Sequence, residues 1–422
     1  MRILVAAPPF AGHLHPLLVL GLGLRRFGIE PVVVTGVSKA PLVTELGLPV
    51  VPLFPDDPGV FDRISDTPGP VRSRPLSLVK QLAANLDLFP GAAQQIDTAI
   101  TRHRPDAVLA DFTAPVAGMV GERHGLPWVT TMPTPFALET RTGTPSYCGG
   151  WGPARHAGHR MRDAAGRSVT RWTKRGMSRV LRSRFAAAGA QVYRPDGSEA
   201  AYSPTAILGL GMTELEFDRD WPAPFRMIGP VTGTVEPTPD PPGLAEGPLV
   251  LVTLGTHLRW AKDDLPERAA ALVGAIPGTT VVVSLGEAAR RGRPPIVDRT
   301  GLQVYGHLPY DRVLRRCVAV VHHGGAGITY AAIQAGVPAV VLPQDYDQFD
   351  FAARIDAAGA GARVRRWSQV PAALARVVSG DRSRLDALRS ASAGYDPVTV
   401  TAQTLFRVTG RTPRPPGPPA RA

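Results

Sequence analysis

The chain has 422 residues, 44% of them hydrophobic, with 44 glycines and 44 prolines, which is enough to bury two or three cores joined by many turns. Its formal charge of +12 permits attraction to phosphates or anionic surfaces, but no interleaving of aromatic and basic residues marks a nucleic-acid platform. The two cysteines, Cys148 and Cys317, lie outside any CxxC or Cys/His spacing, which argues against a disulfide framework and against a structural zinc site.

The first predicted strand is Ile3 to Ala6. A turn over Ala11-Gly12-His13-Leu14-His15-Pro16 follows, with Pro16 suited to a first helical position and a helix running to about Phe27. Val32 to Val34 is the second strand, and Val50 to Leu53 another. Phe54 to Arg74 reads as a long loop, and Leu76 to His103 as a long helix. Ala107 to Ala110 is a buried strand ending at Asp111, and Pro127 to Thr130 the next. Strands and helices alternating in this way predict an α/β fold with a parallel, doubly wound sheet. The short apolar start is too brief for a secretion signal, and no span of about 18 apolar residues appears. The chain therefore reads as cytoplasmic.

Residues 133–200 break the rhythm. Arg155 to Arg184 holds ten Lys/Arg and one acid, Asp163. Met161, Ala165, Trp172, Val180, Leu181 and Phe185 form a rough helical stripe in this region. The plain reading is one or two surface helices with a solvated basic face; the sharper one is membrane association through 155–184. Val235 to Gly243 is the clearest linker, rich in proline. Beyond it the α/β rhythm restarts with strands at Leu249–Thr253, Thr280–Ser284, Gln303–Tyr305, Val318–Val321 and Val340–Leu342. The expected division is 1–234, a linker at 235–247, 248–410, and a disordered tail at 411–422.

The most informative run is Val318-Ala-Val-Val-His322-His323-Gly324-Gly325-Ala326-Gly327-Ile328-Thr329. Strand, Gly-rich turn and helix start is the architecture of an anion site, because the first helical turn presents unpaired N–H groups at the positive end of the dipole. Open α/β sheets bind ligands beyond the carboxyl ends of their strands. Those ends also hold Gly255-Thr256, His307 and Asp347-Gln348. A carboxylate beside a carboxamide suits several sugar hydroxyls, though Asp347 also reads as a simple helix cap. In the first half, His13 sits in the first β–α turn and Asp111 ends another strand, and a His oriented by an Asp is a general-base arrangement. His15 reads as a turn or packing residue. Gly21-Leu-Gly23 lies inside a helix and is not a dinucleotide fingerprint. Asp345-Tyr-Asp347 and the His322-His323 pair lack the companions of a metal site.

The run from His322 to Gln348, with Gly336-Val-Pro338 and Leu342-Pro343 inside it, resembles the donor-site signature of the GT-B glycosyltransferases of family 1. It is most similar to the actinobacterial branch that glycosylates macrolides, polyketides and other natural products. Gly12-His13-Leu-His-Pro16, Thr253-Leu-Gly-Thr256 and Phe225-Arg-Met-Ile-Gly-Pro230 resemble further motifs of that family in the same order. The resemblance implies two Rossmann-like domains facing across a cleft. Residues 1–234 would take the acceptor, and 248–410 the nucleotide-sugar. It implies that His323, Thr256, the turn Gly324-Gly325 and the backbone of Gly327 and Ile328 contact the diphosphate. Asp347 and Gln348 would read the sugar, and His13 with Asp111 would deprotonate the acceptor.

Two positions depart from the family. A Glu that often holds both ribose hydroxyls is Ala331 here, which favours a dTDP-linked sugar over a UDP-linked one. A Trp that often flanks the base is His307. The implied activity is inverting, metal-independent transfer of a hexose or deoxyhexose to a hydroxyl of a small natural product, with no cofactor. The alternatives are a nucleotide-sugar-binding helper protein of weak activity, or a membrane-surface transferase with a lipid-linked acceptor. The sequence leaves monomer or homodimer open and holds nothing that specifically supports the dimer.

Overall fold

The computed structural model describes residues 1–71, 75–233, 235 and 240–412. Two seven-stranded sheets are found. The first comprises β1 (Arg2–Ala6), β2 (Glu30–Gly36), β3 (Val50–Leu53), β4 (Ala107–Asp111), β5 (Trp128–Met132), β6 (Ile207–Gly209) and β7 (Phe225–Met227), ordered β3-β2-β1-β4-β5-β6-β7 and wholly parallel. The second comprises β8 (Leu249–Thr253), β9 (Thr280–Ser284), β10 (Val297–Arg299), β11 (Leu302–Tyr305), β12 (Cys317–His322), β13 (Ala339–Val341) and β14 (Gly361–Arg363). Its order is β10-β11-β9-β8-β12-β13-β14, with only the edge strand β10 antiparallel.

Both sheets are covered on both faces, which is why their strands read as unbroken apolar runs. In the first sheet Ile3, Val5 and Val33 pack on Leu14, Leu17, Leu18 and Leu24 of helix Ala11–Leu24. Leu4, Val32 and Val108 face the other way, onto Ile96, Ile100 and Val120. In the second sheet Leu251 and Val320 pack on Ile328 and Ile333, while Val250, Val252 and Val321 meet Leu265 and Leu374.

Several expectations shift. The helix after β1 begins at Ala11, so Pro16 lies inside it and His13 in its first turn. Pro16 forfeits one helical bond, to Gly12, while the turn before it is already anchored by the N–H groups of His13 and Leu14 on the Phe10 carbonyl. The loop after β3 contains a short helix, Val60–Ser65. The basic run forms helices Ala157–Val180 and Arg182–Ala187. Its apolar stripe splits: Leu181 is buried and Phe185 lines the cleft, whereas Met161, Trp172 and Val180 face solvent.

The last helix, Pro397–Thr409, does not stay with the second sheet. Ala402, Leu405 and Phe406 join the core of the first, against helix Ala11–Leu24. A Cβ on Gly23 would stand 2.8 Å from Val398, so Gly23 serves this helix contact, whereas Gly21 faces Pro31 of the sheet. Arg411 pairs with Asp106 on the first half, and 413–422 lie outside the described residues. Of the proline-rich linker, 236–239 also lie outside them. Its distal part is tied to β11: Gln303 donates to the Gly243 carbonyl at 2.8 Å and accepts from the Ala245 N–H at 2.9 Å. Among the described residues no helix is long and apolar enough to cross a membrane.

Candidate active site

The strand order places the site. In the first sheet the chain reverses direction between neighbours β1 and β4, and in the second between β8 and β12. At such switch points the loops leave in opposite directions and open a crevice at the carboxyl ends of the strands. His13 follows β1, and Asp111 ends β4. Gly255-Thr256 follows β8, and His323 follows β12. The two crevices face each other across a cleft of about 2230 Å³ lined by His13, Thr256, His307, His323, Ile328 and Asp347 among others.

On the first wall His13 Nδ1 lies 3.0 Å from Asp111 Oδ1. A carboxylate only accepts, so Nδ1 carries the proton and Nε2 keeps a free lone pair. Asp111 is fully buried, and its Oδ1 also accepts the N–H of Thr113 at 2.9 Å and the Thr113 hydroxyl. Phe112 packs on the imidazole, ring centroids 5.6 Å apart. Burial works against the imidazolium, but the charge and hydrogen bond of Asp111, helped by the Asp347 charge, outweigh it and hold the His13 pKa above its ordinary value.

On the second wall the helix Ala326–Ala335 starts at Gly325 with no side-chain cap, and the N–H groups of Ala326, Gly327 and Ile328 precede the first helical bond, from Thr329 to Gly325. These donors open on the cleft. The glycines admit His323 rather than a ligand alone. A Cβ on Gly255 would stand 2.7 Å from the His323 ring, and one on Gly325 would stand 2.5 Å from its Nε2. Gly324 holds φ +96°, and a Cβ there would stand 2.8 Å from the Gln348 carbonyl oxygen. Burial, with His257 and Lys262 nearby, pushes the His323 pKa down to about 4, so the ring is neutral when no anion sits beside it. His322 points away into the core, where its Nδ1 accepts the Gly324 N–H at 3.0 Å. His307 lies half-buried in the cleft wall, its pKa pushed down to about 4 by burial and by Arg291. Ala331 also lines the cleft, with only a methyl to offer.

Asp347 and Gln348 divide their work. The Gln348 side-chain oxygen accepts from the N–H groups of Gln344 at 2.9 Å and Asp345 at 3.1 Å. It braces its own loop, which leaves its NH₂ group for a ligand. Asp347 accepts the Thr134 hydroxyl at 2.8 Å. Burial raises the Asp347 pKa, against the pull of Thr134 and His13. Tyr346, just before Asp347, holds a left-handed φ of 50°. Asp345 is fully buried and accepts the Val71 N–H at 2.5 Å, so a loop of the first half straps the 343–348 loop of the second. Among the described residues no group of three or more His, Cys, Asp or Glu is placed to hold a metal.

The sequence reading missed Thr134 and Lys262. Lys262 donates to the carbonyls of Leu285 at 2.8 Å, Gly255 at 3.1 Å and Thr256 at 3.3 Å, tying the β8 and β9 loops beside His323. Neither residue stands out by spacing; each acts through a contact distant in sequence.

Two parallel sheets opposed across such a cleft, with an anion turn on one wall and a His–Asp pair on the other, define a GT-B glycosyltransferase. The profile of the erythromycin biosynthesis protein CIII-like C-terminal domain matches residues 271–393. The chain is 30% identical over 380 residues to the elloramycin glycosyltransferase ElmGT of Streptomyces olivaceus, covering 86% of this chain and 85% of that one. The crystal structure of the glycotransferase of kitacinnamycin aligns with a TM-score of 0.72 at 25% identity, over 97% of this chain and 99% of that one. Glycosyltransferase SsfS6 of Streptomyces sp. SF2575, complexed with thymidine diphosphate, shares the fold with a TM-score of 0.67 at 22% identity, over 96% and 99% of the two chains. The chain belongs to the family 1 natural-product glycosyltransferases, in the actinobacterial antibiotic branch, which move sugars from nucleotide-sugars to small molecules.

Proposed function

We propose that the chain is an inverting glycosyltransferase that uses a dTDP-linked hexose or deoxyhexose, with His13 as the base. The observation that carries this is the His13–Asp111 pair, whose free Nε2 belongs to the cleft wall opposite the uncapped helix at Ala326. His13 Nε2 takes the proton of the acceptor hydroxyl, and Asp111 stabilises the imidazolium that forms, a contribution of about 10²–10⁴-fold. The acceptor oxygen attacks the anomeric carbon from the face opposite the diphosphate, and the C–O bond to the diphosphate breaks with inversion. The leaving charge is met by the N–H groups of Gly327 and Ile328, by His323 and by Thr256. Asp347 and the Gln348 NH₂ hold the sugar hydroxyls.

The absence of a carboxylate at Ala331 supports a deoxyribose nucleotide, since no group stands there to bind a 2′-hydroxyl. The neighbour complexed with thymidine diphosphate supports the same donor. This reading assigns the reaction no cofactor and no metal; turnover that fails in chelator and returns with a divalent cation would correct it. His13→Ala should abolish transfer while leaving dTDP-sugar affinity, measured by calorimetry, within about twofold. A fully active His13→Ala overturns the assignment. A binding screen that favours UDP over dTDP overturns the donor.

A further inference from the structure

The 24-residue helix Ala157–Val180 has two unlike faces. Its inner face is fully engaged. Arg162 pairs with buried Asp163 at 2.7 Å, Lys174 reaches Glu139 at 2.8 Å and Glu199 at 2.5 Å, and Arg171 donates to the Gly197 carbonyl at 2.6 Å. Lys174 and Met177 line the cleft. The outer face carries an apolar row instead. Met161, Ala165, Val169, Trp172, Gly176 and Val180 follow one another in steps of three or four, which keeps them on one side. The four large ones are 74%, 63%, 80% and 73% exposed for Met161, Val169, Trp172 and Val180. Beside them Arg155, Arg160, Arg179 and Arg182 are exposed and have no ion-pair partner among the described residues. The helix's one acid is turned inward.

We infer that this face docks the enzyme on an anionic lipid surface. A bare Trp and three aliphatic side chains between unpaired arginines is the chemistry of a helix lying in a membrane interface, its apolar row among the acyl chains and its guanidinium groups at the phosphates. A second copy of this chain fits poorly, because pairing the rows would bring the arginines of both helices together with no acid to meet them. A rigid acidic protein fits less well than lipid. The row runs roughly 30 Å along one side of the helix at 1.5 Å per residue, a long narrow ridge rather than the compact central patch a protein partner anchors on. On the reading above that the first half takes the acceptor, docking sets the acceptor side of the cleft beside the bilayer, within reach of apolar acceptors dissolved in it.

The test is co-sedimentation of the full chain with phosphatidylglycerol vesicles and with phosphatidylcholine vesicles, at low and high salt, without donor or acceptor. Binding to the anionic vesicles, weakened by salt and accompanied by a blue shift of Trp fluorescence that Trp172→Phe removes, supports the inference. Neutralising both arginines, Arg160→Gln and Arg179→Gln, should lower vesicle affinity on the order of 30-fold. Trp172→Glu should abolish binding while thermal unfolding and transfer to a soluble acceptor stay unchanged. Three outcomes overturn it: no binding at low salt, equal binding to both lipids, or light scattering showing a dimer that Trp172→Glu dissociates. Because vesicle binding is measured apart from catalysis, it can fail while the transferase reading stands.

Discussion

Thr134, in the loop after β5, donates its hydroxyl to Asp347 of the opposite half, Oγ1 to Oδ2, at 2.8 Å. The carboxylate assigned to the donor sugar is thus held by the other wall of the cleft when no sugar is there. A sugar hydroxyl that donates to Oδ2 along the same direction displaces the threonine, whereas one that donates to Oδ1 leaves it in place. In the first case the walls are coupled: what binds the donor also loosens a tie between the halves.

Thr134→Val should therefore tighten dTDP-sugar binding, by about fivefold if the lost bond has the usual net worth of about 1 kcal/mol. Asp347→Ala removes the acceptor of the hydroxyls and should weaken the sugar-nucleotide by more than tenfold while barely changing free dTDP. Calorimetry on the two variants checks both. If Thr134→Val weakens binding as much as Asp347→Ala does, Thr134 contacts the sugar directly and the exchange described here is absent.

The pH dependence follows from His13. A base must be neutral to act, and the His13 pKa is held above its ordinary 6.5 by Asp111 and Asp347 against the effect of burial. The acidic limb of kcat/KM should accordingly fall above pH 6.5, with activity rising as pH climbs through it. Asp111→Asn takes away the charge that favours the imidazolium, so the limb should move to lower pH. The rate should also fall by about 10²-fold or more, because Asn no longer fixes the tautomer. A limb that stays in place in Asp111→Asn would assign the titration to another group.

Gly325→Ala tests the anion turn. Gly325 has φ −69° and ψ 150°, which alanine adopts freely, so the backbone need not move. The new methyl would instead stand 2.5 Å from His323 Nε2 and displace the ring. Diphosphate affinity should drop by about tenfold or more, whereas overpacking of this kind costs about 1–3 kcal/mol of stability. Unchanged dTDP binding in a folded Gly325→Ala would remove His323 from the diphosphate site.

Much of this site was legible in the sequence because it lies on local patterns. The strand–glycine–helix run at 318–335 announces a fold unit, Asp111 closes a buried apolar strand, and His13 lies in the first turn of the helix that follows another. What escaped depends on contacts between distant segments. Gln348 looked like a sugar reader, yet its oxygen is taken by the N–H groups of its own loop. The glycines looked like phosphate ligands, yet Gly255 and Gly325 first make room for His323. Helix Pro397–Thr409 follows the second sheet in sequence and packs on the first, since amphipathicity tells that a helix has a buried face but not which sheet receives it. Helix 157–180 carries both an inner paired face and an outer bare one, and composition alone averages the two.

The halves are joined by a buried ion pair that sequence spacing could not show. Arg354 Nε lies 3.0 Å from Glu216 Oε2, with the two side chains 1% and 3% exposed. The guanidinium also stacks 4.0 Å from the Phe136 ring centroid and 4.5 Å from that of Phe217. Glu216 Oε1 is buried without a partner, so this carboxylate depends on Arg354. Removing one member of such a pair leaves a buried charge and costs about 3–5 kcal/mol, whereas replacing both by apolar groups of similar volume is often neutral. Arg354→Met alone should lower the unfolding midpoint by several degrees or split the transition as the halves part. Arg354→Met combined with Glu216→Leu should restore most of the loss. If the double variant is as unstable as the single, the guanidinium's packing on Phe136 and Phe217 holds the halves together and the charge pair does not.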